Sequence, residues 1–211
     1  MATARFLVRF AVMLWLALVL FIAMTVALLR GGRLINLADI RLRFWWLLLL
    51  GFGIQAATGF LPAEEAWTRP TATTMILVSY LPLLILVLIN RQREGMWLAG
   101  LGILMNFSVI ALNGGMPVLE GAAAVAGGLS EGSGAMALAL DFKHVVLDAS
   151  TRLPFLADVM PVRLFGTGQV ISLGDVLLAV GLGRFLEDEL RKPVRWFKRG
   201  IHTEGGSASH R

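Results

Sequence analysis

Four stretches of this chain are free of charged side chains and long: Phe10 to Leu29 (20 residues), Phe44 to Pro62 (19), Pro70 to Asn90 (21) and Gly95 to Leu119 (25). About 20 apolar residues of helix cross a hydrocarbon core roughly 30 Å thick, so each run predicts a transmembrane helix. A fifth run, residues 170–186, holds Asp175 near one end and Arg184 near the other. Both side chains are within snorkelling distance of an interface, which keeps the run compatible with a span. A rival span, Ala122 to Leu140, is apolar but rich in Gly and Ser and carries Glu131 near its centre.

Charge separates the two topologies. With five spans, 13 of the 19 Lys and Arg residues fall on one side and six on the other; adding the rival span divides them 10 against nine. Lys and Arg collect on the cytoplasmic side of bacterial membrane proteins, so five spans are favoured, with the N-terminus outside and the C-terminus in the cytoplasm. The expected fold is all-α, a polytopic bundle of five transmembrane helices at about 10–29, 44–62, 70–90, 95–115 and 170–186. Residues 1–190 form one membrane domain, and the segment 116–169 between helices four and five is extracytoplasmic. Residues 122–140 become a loop, an interfacial helix or a re-entrant piece. Residues 191–211 form a basic cytoplasmic tail suited to anionic lipid, Gly- and Ser-rich and disordered towards its end.

Composition agrees: 57% of residues are hydrophobic and 16% charged, against about a quarter charged in soluble domains. The first run is too long for a signal-peptide core and Ala27-Leu28-Leu29-Arg30 lacks a small-x-small cleavage pattern, so it is expected to be retained. The absence of cysteine excludes disulfides, thiolate catalysis and thiolate metal sites. The net charge of +5 resides in arginines that flank spans, and nucleic acid is not an expected partner.

Within the spans, Gly51, Gln55 and Gly59 recur every four residues, and Ala99, Gly102, Asn106 and Asn113 form a second stripe. Small residues allow close helix approach, and an amide facing lipid would leave its bonds unmade, so both stripes are expected to pack; the alternative is that the amides line a pocket or path, which a transporter would need to reach Asn106 and Gln55 from outside. Pro82 should kink the third span. In the cytoplasmic connection, Asn36 with Asp39 three residues on reads as an N-cap leading a helix through Arg41 and Arg43 into the second span.

Candidate chemistry gathers between Asn113 and Asp175. Asn113-Gly114-Gly115-Met116-Pro117 should end the fourth helix sharply. Beyond it lie Lys143, His144, Asp148 and Asp158, interleaved with apolar residues that suit a segment lying on the bilayer or covering the bundle. On a helix, His144 and Asp148 would be four apart and could pair. Asp175 is either a carboxylate favoured by the helix dipole, with Ser172 as cap, or a functional group facing the bundle interior. Asn106, Asn113, Lys143, His144, Asp148, Asp158 and Asp175 are the candidate ligand-binding residues.

Complete catalytic sets are missing. Gly128-Leu129-Ser130-Glu131-Gly132 matches G-x-S-x-G without the preceding strand a nucleophile elbow needs. Ser172-Leu173-Gly174-Asp175 is close to the Gly-x-Gly-Asp of intramembrane aspartyl proteases, yet no second aspartate lies inside another span. One external histidine is a weak metal signal, so no metal site is expected and no cofactor is indicated.

Gly31-Gly32-Arg33-Leu34, Asn113-Gly114-Gly115-Met116-Pro117, Lys143-His144, Leu156-Ala157-Asp158 with Pro161, and Ser172-Leu173-Gly174-Asp175 occur in that order. In this the chain resembles an uncharacterised bacterial family filed as domain-of-unknown-function family 5317. The resemblance covers most of residues 30–187 and implies a polytopic bacterial plasma-membrane protein, with no activity or site residue attached. The expected role is a non-enzymatic binding protein or complex subunit that engages a small ligand, a lipid or a partner membrane protein on its extracytoplasmic face. The alternatives are an intramembrane enzyme acting on a lipid or polyprenyl substrate, with Asp175 and His144 as acid or base and Lys143 on an anionic group, and a transporter component.

Overall fold

The structure is a computed structural model that describes residues 18–62, 65–127, 143–164 and 167–193. It is mostly helical. Helix α1 covers Leu18–Leu29, a 3-10 turn covers Leu34–Asp39, and α2 (Trp46–Ala57) continues as a 3-10 turn through Phe60. Then come α3 (Thr68–Ile89) and α4 (Met96–Asn113). Among the described residues these two are the helices long and apolar enough to cross a membrane. Helix α5 (Glu120–Gly127) is short, and α6 (Leu173–Arg191) closes the described chain. The start of the first apolar run, residues 128–142 with the Ser130 motif and most of the rival span, and the tail from residue 194 lie outside the described residues.

Helix α4 is held between α3 and α6. Its small stripe meets a matching one: a Cβ on Gly102 would come within 2.3 Å of the Gly174 carbonyl oxygen, and one on Gly181 within 2.3 Å of the Ala99 nitrogen. Backbones so close admit no side chain between them, the geometry that small-residue stripes produce. Helix α2 packs on α3 through Gly51, where a Cβ would meet Leu83 at 2.8 Å, and Gln55 donates to the Ser79 hydroxyl at 2.9 Å. Gly59 lies beyond the end of α2, exposed in the 3-10 turn. Pro82 is buried within α3. The core runs through Ile76, Tyr80, Leu83, Met96, Ile103, Val109, Ile110, Met116 and Phe185.

Outward faces are strongly apolar. Phe21, Leu29, Trp46, Leu49, Phe52, Phe60, Leu81, Ile85, Leu88, Leu101 and Leu104 are all exposed.

The all-α expectation needs correcting between α4 and α6. Strand β1 (Met116–Val118) pairs in parallel with β2 (His144–Val146), and Val118 forms an isolated parallel bridge with Asp158. Strands β3 (Met160–Leu164) and β4 (Thr167–Ile171) make an antiparallel hairpin. Helix α5 lies on β4 so closely that a Cβ on Gly168 would fall 1.9 Å from the Ala126 carbonyl oxygen. Three-residue strands are too short for an alternating pattern to register.

The Asn36 expectation is also corrected. Residue Arg33, not Asn36, precedes the 3-10 turn, and no side chain caps it. Asn36 is buried, and its amide donates to the carbonyls of Leu190 (2.8 Å) and Lys192 (2.7 Å), satisfying carbonyls left open at the end of α6. Nor does a helix run through Arg41 and Arg43: Ile40–Leu42 is not helical and Phe44 takes a positive φ of 57° before α2 begins. Asn90, at the polar end of an apolar run with nothing in its neighbourhood to single it out, fixes this connection. It accepts from the Arg43 N–H and donates to the Arg43 carbonyl, both at 3.0 Å.

Candidate functional site

Helix α4 ends where glycine lets it end, at Gly114 in the left-handed region (φ 70°), with its N–H on the Ile110 carbonyl at 2.9 Å. From there the chain turns into β1, so the segment from residue 116 is carried back against the helix ends as a cap. Asn113 holds it down. Its Nδ2 donates to the Arg152 carbonyl (2.9 Å) and its Oδ1 accepts from the Arg152 N–H (2.8 Å), the same two-bond grip that Asn90 has on Arg43.

Helix α6 starts inside this junction. Ser172 is fully buried and is its N-cap; its hydroxyl accepts from the Asp175 N–H (3.0 Å) while the Asp175 carboxylate accepts from the Ser172 N–H (3.0 Å). This is a capping box, which satisfies two open donors of the helix start reciprocally. Asn106 of α4 joins it: its amide donates to Asp175 Oδ1 (2.8 Å), and its Oδ1 accepts from the Ser172 hydroxyl (3.0 Å). Both oxygens of Asp175 are therefore engaged, and the cap role expected of Ser172 and Asp175 is realised.

Asp158 is in a different condition. It is 3% exposed, its backbone is bonded to β1 on both sides (N–H to Pro117, 2.8 Å; carbonyl from Leu119, 3.0 Å), and its Oδ2 lies 3.5 Å from His144 Nε2. Its other oxygen, Oδ1, has no hydrogen-bond partner among the described residues. Burial pushes the Asp158 carboxyl above its ordinary value; the hydrogen bond from His144 opposes this, the negative charge of Asp175 adds to it, and the charges of His144 and Lys143 oppose it. Tyr80 of α3, buried beneath the cap, is in electrostatic reach of Lys143, Asp175 and Asp158.

The expected His144–Asp148 pairing does not arise, because His144 sits in a strand rather than on a helix. Asp148 is exposed in a turn, where its carboxylate accepts from the Ser150 hydroxyl (2.6 Å) and N–H (2.8 Å), and these bonds hold it below its ordinary value. Of the candidate residues, the structure thus gathers Asn106 and Asp175 into one hydrogen-bonded group with Ser172. Asp158 pairs with His144, with Lys143 close enough for its charge to count there, and Asn113 and Asp148 serve the cap's turns. Tyr80 and Ser172 complete the site. Ser172 is visible in the sequence as a cap, whereas no sequence signal singles out Tyr80.

The sign of the Asp158 effect is testable. A carboxyl raised in the fold binds its proton more tightly there than in the unfolded chain, so folding stability falls as pH rises from about 3.8 towards the raised value. Asp158→Asn, which keeps the shape and removes the charge, is expected to melt above the native chain at pH 7, with the difference shrinking towards pH 4. Thermal melts of both proteins in the same detergent check this; a variant less stable at pH 7 than at pH 4, relative to the native chain, would refute it.

Fold and site define a mostly helical protein, with two helices among the described residues long and apolar enough to cross a membrane, closed at one end by a small mixed cap. The chain belongs to domain-of-unknown-function family 5317, described as a family of unknown function, which matches residues 39–186. An uncharacterized protein of Thermotoga maritima is 31% identical over 115 residues, 54% of this chain and 62% of its own length. The chain therefore spans about three fifths of that relative. No solved structure matches.

Proposed function

We propose that this chain is an integral protein of the bacterial plasma membrane whose cap, on the extracytoplasmic side, forms with the helix ends a binding site for a small ligand, a lipid or a partner subunit, without catalysis. The exposed apolar faces of α2, α3 and α4 support the membrane setting, since water would penalise so much contiguous apolar surface. Exposed Trp45, Trp46 and Trp97 lie near Arg41, Arg43, Arg91 and Arg93 in sequence, at the starts of α2 and α4, while Trp67 and Phe60 mark the other ends. Aromatic residues favour membrane interfaces, and the arginine-rich end is the cytoplasmic one by the charge rule.

The observation that carries the binding reading is Asp158, a buried carboxylate at the junction of cap and bundle with one oxygen lacking a partner among the described residues. Such a group costs stability and is kept where it has something to bind. The enzyme alternative is weaker because Asp175, its acid or base, has both oxygens taken up by Ser172 and Asn106. The transporter alternative loses its path-lining amides to helix contacts, Gln55 with Ser79 and Asn106 with Ser172 and Asp175.

The test is native mass spectrometry of the protein released from lipid nanodiscs, native chain beside Asp158→Asn. A bound molecule or copurifying protein that is present on the native chain and diminished on the variant is expected. A native chain that emerges alone, with neither lipid nor protein attached, would reject the reading.

A further inference from the structure

One of the connections that fasten the cap is titratable. Strand β1 has β2 on one side and Asp158 on the other. His144 of β2 and Asp158 meet at 3.5 Å, so their side chains tie together the two segments that flank β1. Main-chain bonds also tie this layer: Met116 N–H to Lys143 (2.7 Å), Leu147 N–H to Val118 (2.9 Å) and the two bonds of Asp158 with Pro117 and Leu119.

We propose that Asp158 and His144 form a proton-binding latch: while the pair holds a proton the cap stays closed on the helix ends, and loss of that proton at higher pH loosens it. This rests on the cap reading given above and names its regulation. With one proton shared, an imidazolium faces a carboxylate, or an imidazole faces a carboxylic acid; either form satisfies both groups. Removing the proton leaves a buried carboxylate against a neutral ring, whose Nε2 can still donate in only one of its two tautomers. Among the described residues, the charged groups facing Asp158 are His144 of β2, Lys143 just before that strand and Asp175 of the first turn of α6; from α3 the neutral phenol of Tyr80 faces it. Asp175 carries a like charge, so an ionised Asp158 is penalised by its neighbour as well as by burial, and Lys143 offsets part of this.

Hydrogen exchange measured by mass spectrometry on the full chain in nanodiscs tests the latch, with rates corrected for the intrinsic pH dependence of exchange. Peptides that report the amides of Met116, Leu119, Leu147 and Asp158 are compared with peptides of α3 and α4. The expected result is protection of the cap amides falling by about tenfold or more between pH 5 and pH 8, the effect of one pKa unit of differential proton binding, while α3 and α4 stay constant. Asp158→Asn and His144→Gln should each flatten the profile. A flat profile in the native chain, or one that persists in either variant, overturns the latch. Should Asp158→Asn fail to fold, the native profile and His144→Gln still decide. Cap amides exchanging freely at every pH, with α3 and α4 protected, would remove the cap reading along with the latch; a protected but pH-independent cap removes the latch alone.

Discussion

Gly95→Ala is expected to lower the stability of this protein by about 2–5 kcal/mol. Two costs combine. Gly95 precedes α4 at φ 76°, where an L-residue is disfavoured by roughly 1–2 kcal/mol. Its Cβ would also stand 2.0 Å from the Gly181 carbonyl oxygen and 2.8 Å from the Phe185 nitrogen, both backbone atoms of α6 that cannot swing aside. Forcing packed helices apart adds about 1–3 kcal/mol. Gly53→Ala is the control: Gly53 lies inside α2 with nothing within 4 Å of its Cβ position. There the better helix propensity of alanine should leave stability unchanged or raise it by up to about 1 kcal/mol. Thermal melts of the two variants in one detergent check the contrast. Equal losses from both would mean that α4 and α6 are not in backbone contact.

Asn106→Leu is expected to cost roughly 2–4 kcal/mol although the side chain is similar in size and α4 is apolar. The substitution strands the Asp175 Oδ1 and removes one of the two acceptors of the buried Ser172 hydroxyl, leaving it Asp175 Oδ2 alone. It also replaces the carboxamide oxygen against which Gly174 is packed, 2.0 Å from where that glycine's Cβ would be. Most of the loss comes from leaving a part-buried charged acceptor short of a donor. A double-mutant cycle with Asp175→Asn separates the contributions: the two single losses should exceed the loss in the double variant, because the second change removes part of what the first leaves unpaired. Strictly additive losses would show that Asn106 and Asp175 do not interact, and would place the start of α6 elsewhere.

Much of this arrangement could be read from residue order. The pairing of small residues on α4 with a partner helix follows from Ala99, Gly102 and Asn106 recurring on one face, since that stripe is expressed in spacing alone. The capping box follows from Ser172 and Asp175 being three apart ahead of an apolar run. The end of α4 follows from Asn113-Gly114-Gly115, because glycine at a left-handed position is a local requirement.

What residue order could not supply is which distant backbone a polar side chain would find. Asn36, Asn90 and Asn113 each bond main-chain groups of a segment far away in sequence, at Leu190 and Lys192, at Arg43 and at Arg152. An amide matches any peptide group equally well, so its sequence neighbourhood carries no mark of the partner. The short strands escaped for a related reason. Three residues such as Met116–Val118 have no periodicity of their own, and they are strands because the returning chain at His144 and Asp158 completes their hydrogen bonds.

The sequence by itself determined the apolar helices α3 and α4, the small face of α4 and its stop at Gly114, because these depend on composition and spacing within one turn or one span. Only the tertiary structure decided that Asp175 is consumed in capping while Asp158 is buried against His144. The fate of a carboxylate depends on which donors and charges surround it, and those come from α3, α4, β2 and α6, residues 80 to 175 of the chain brought to one place.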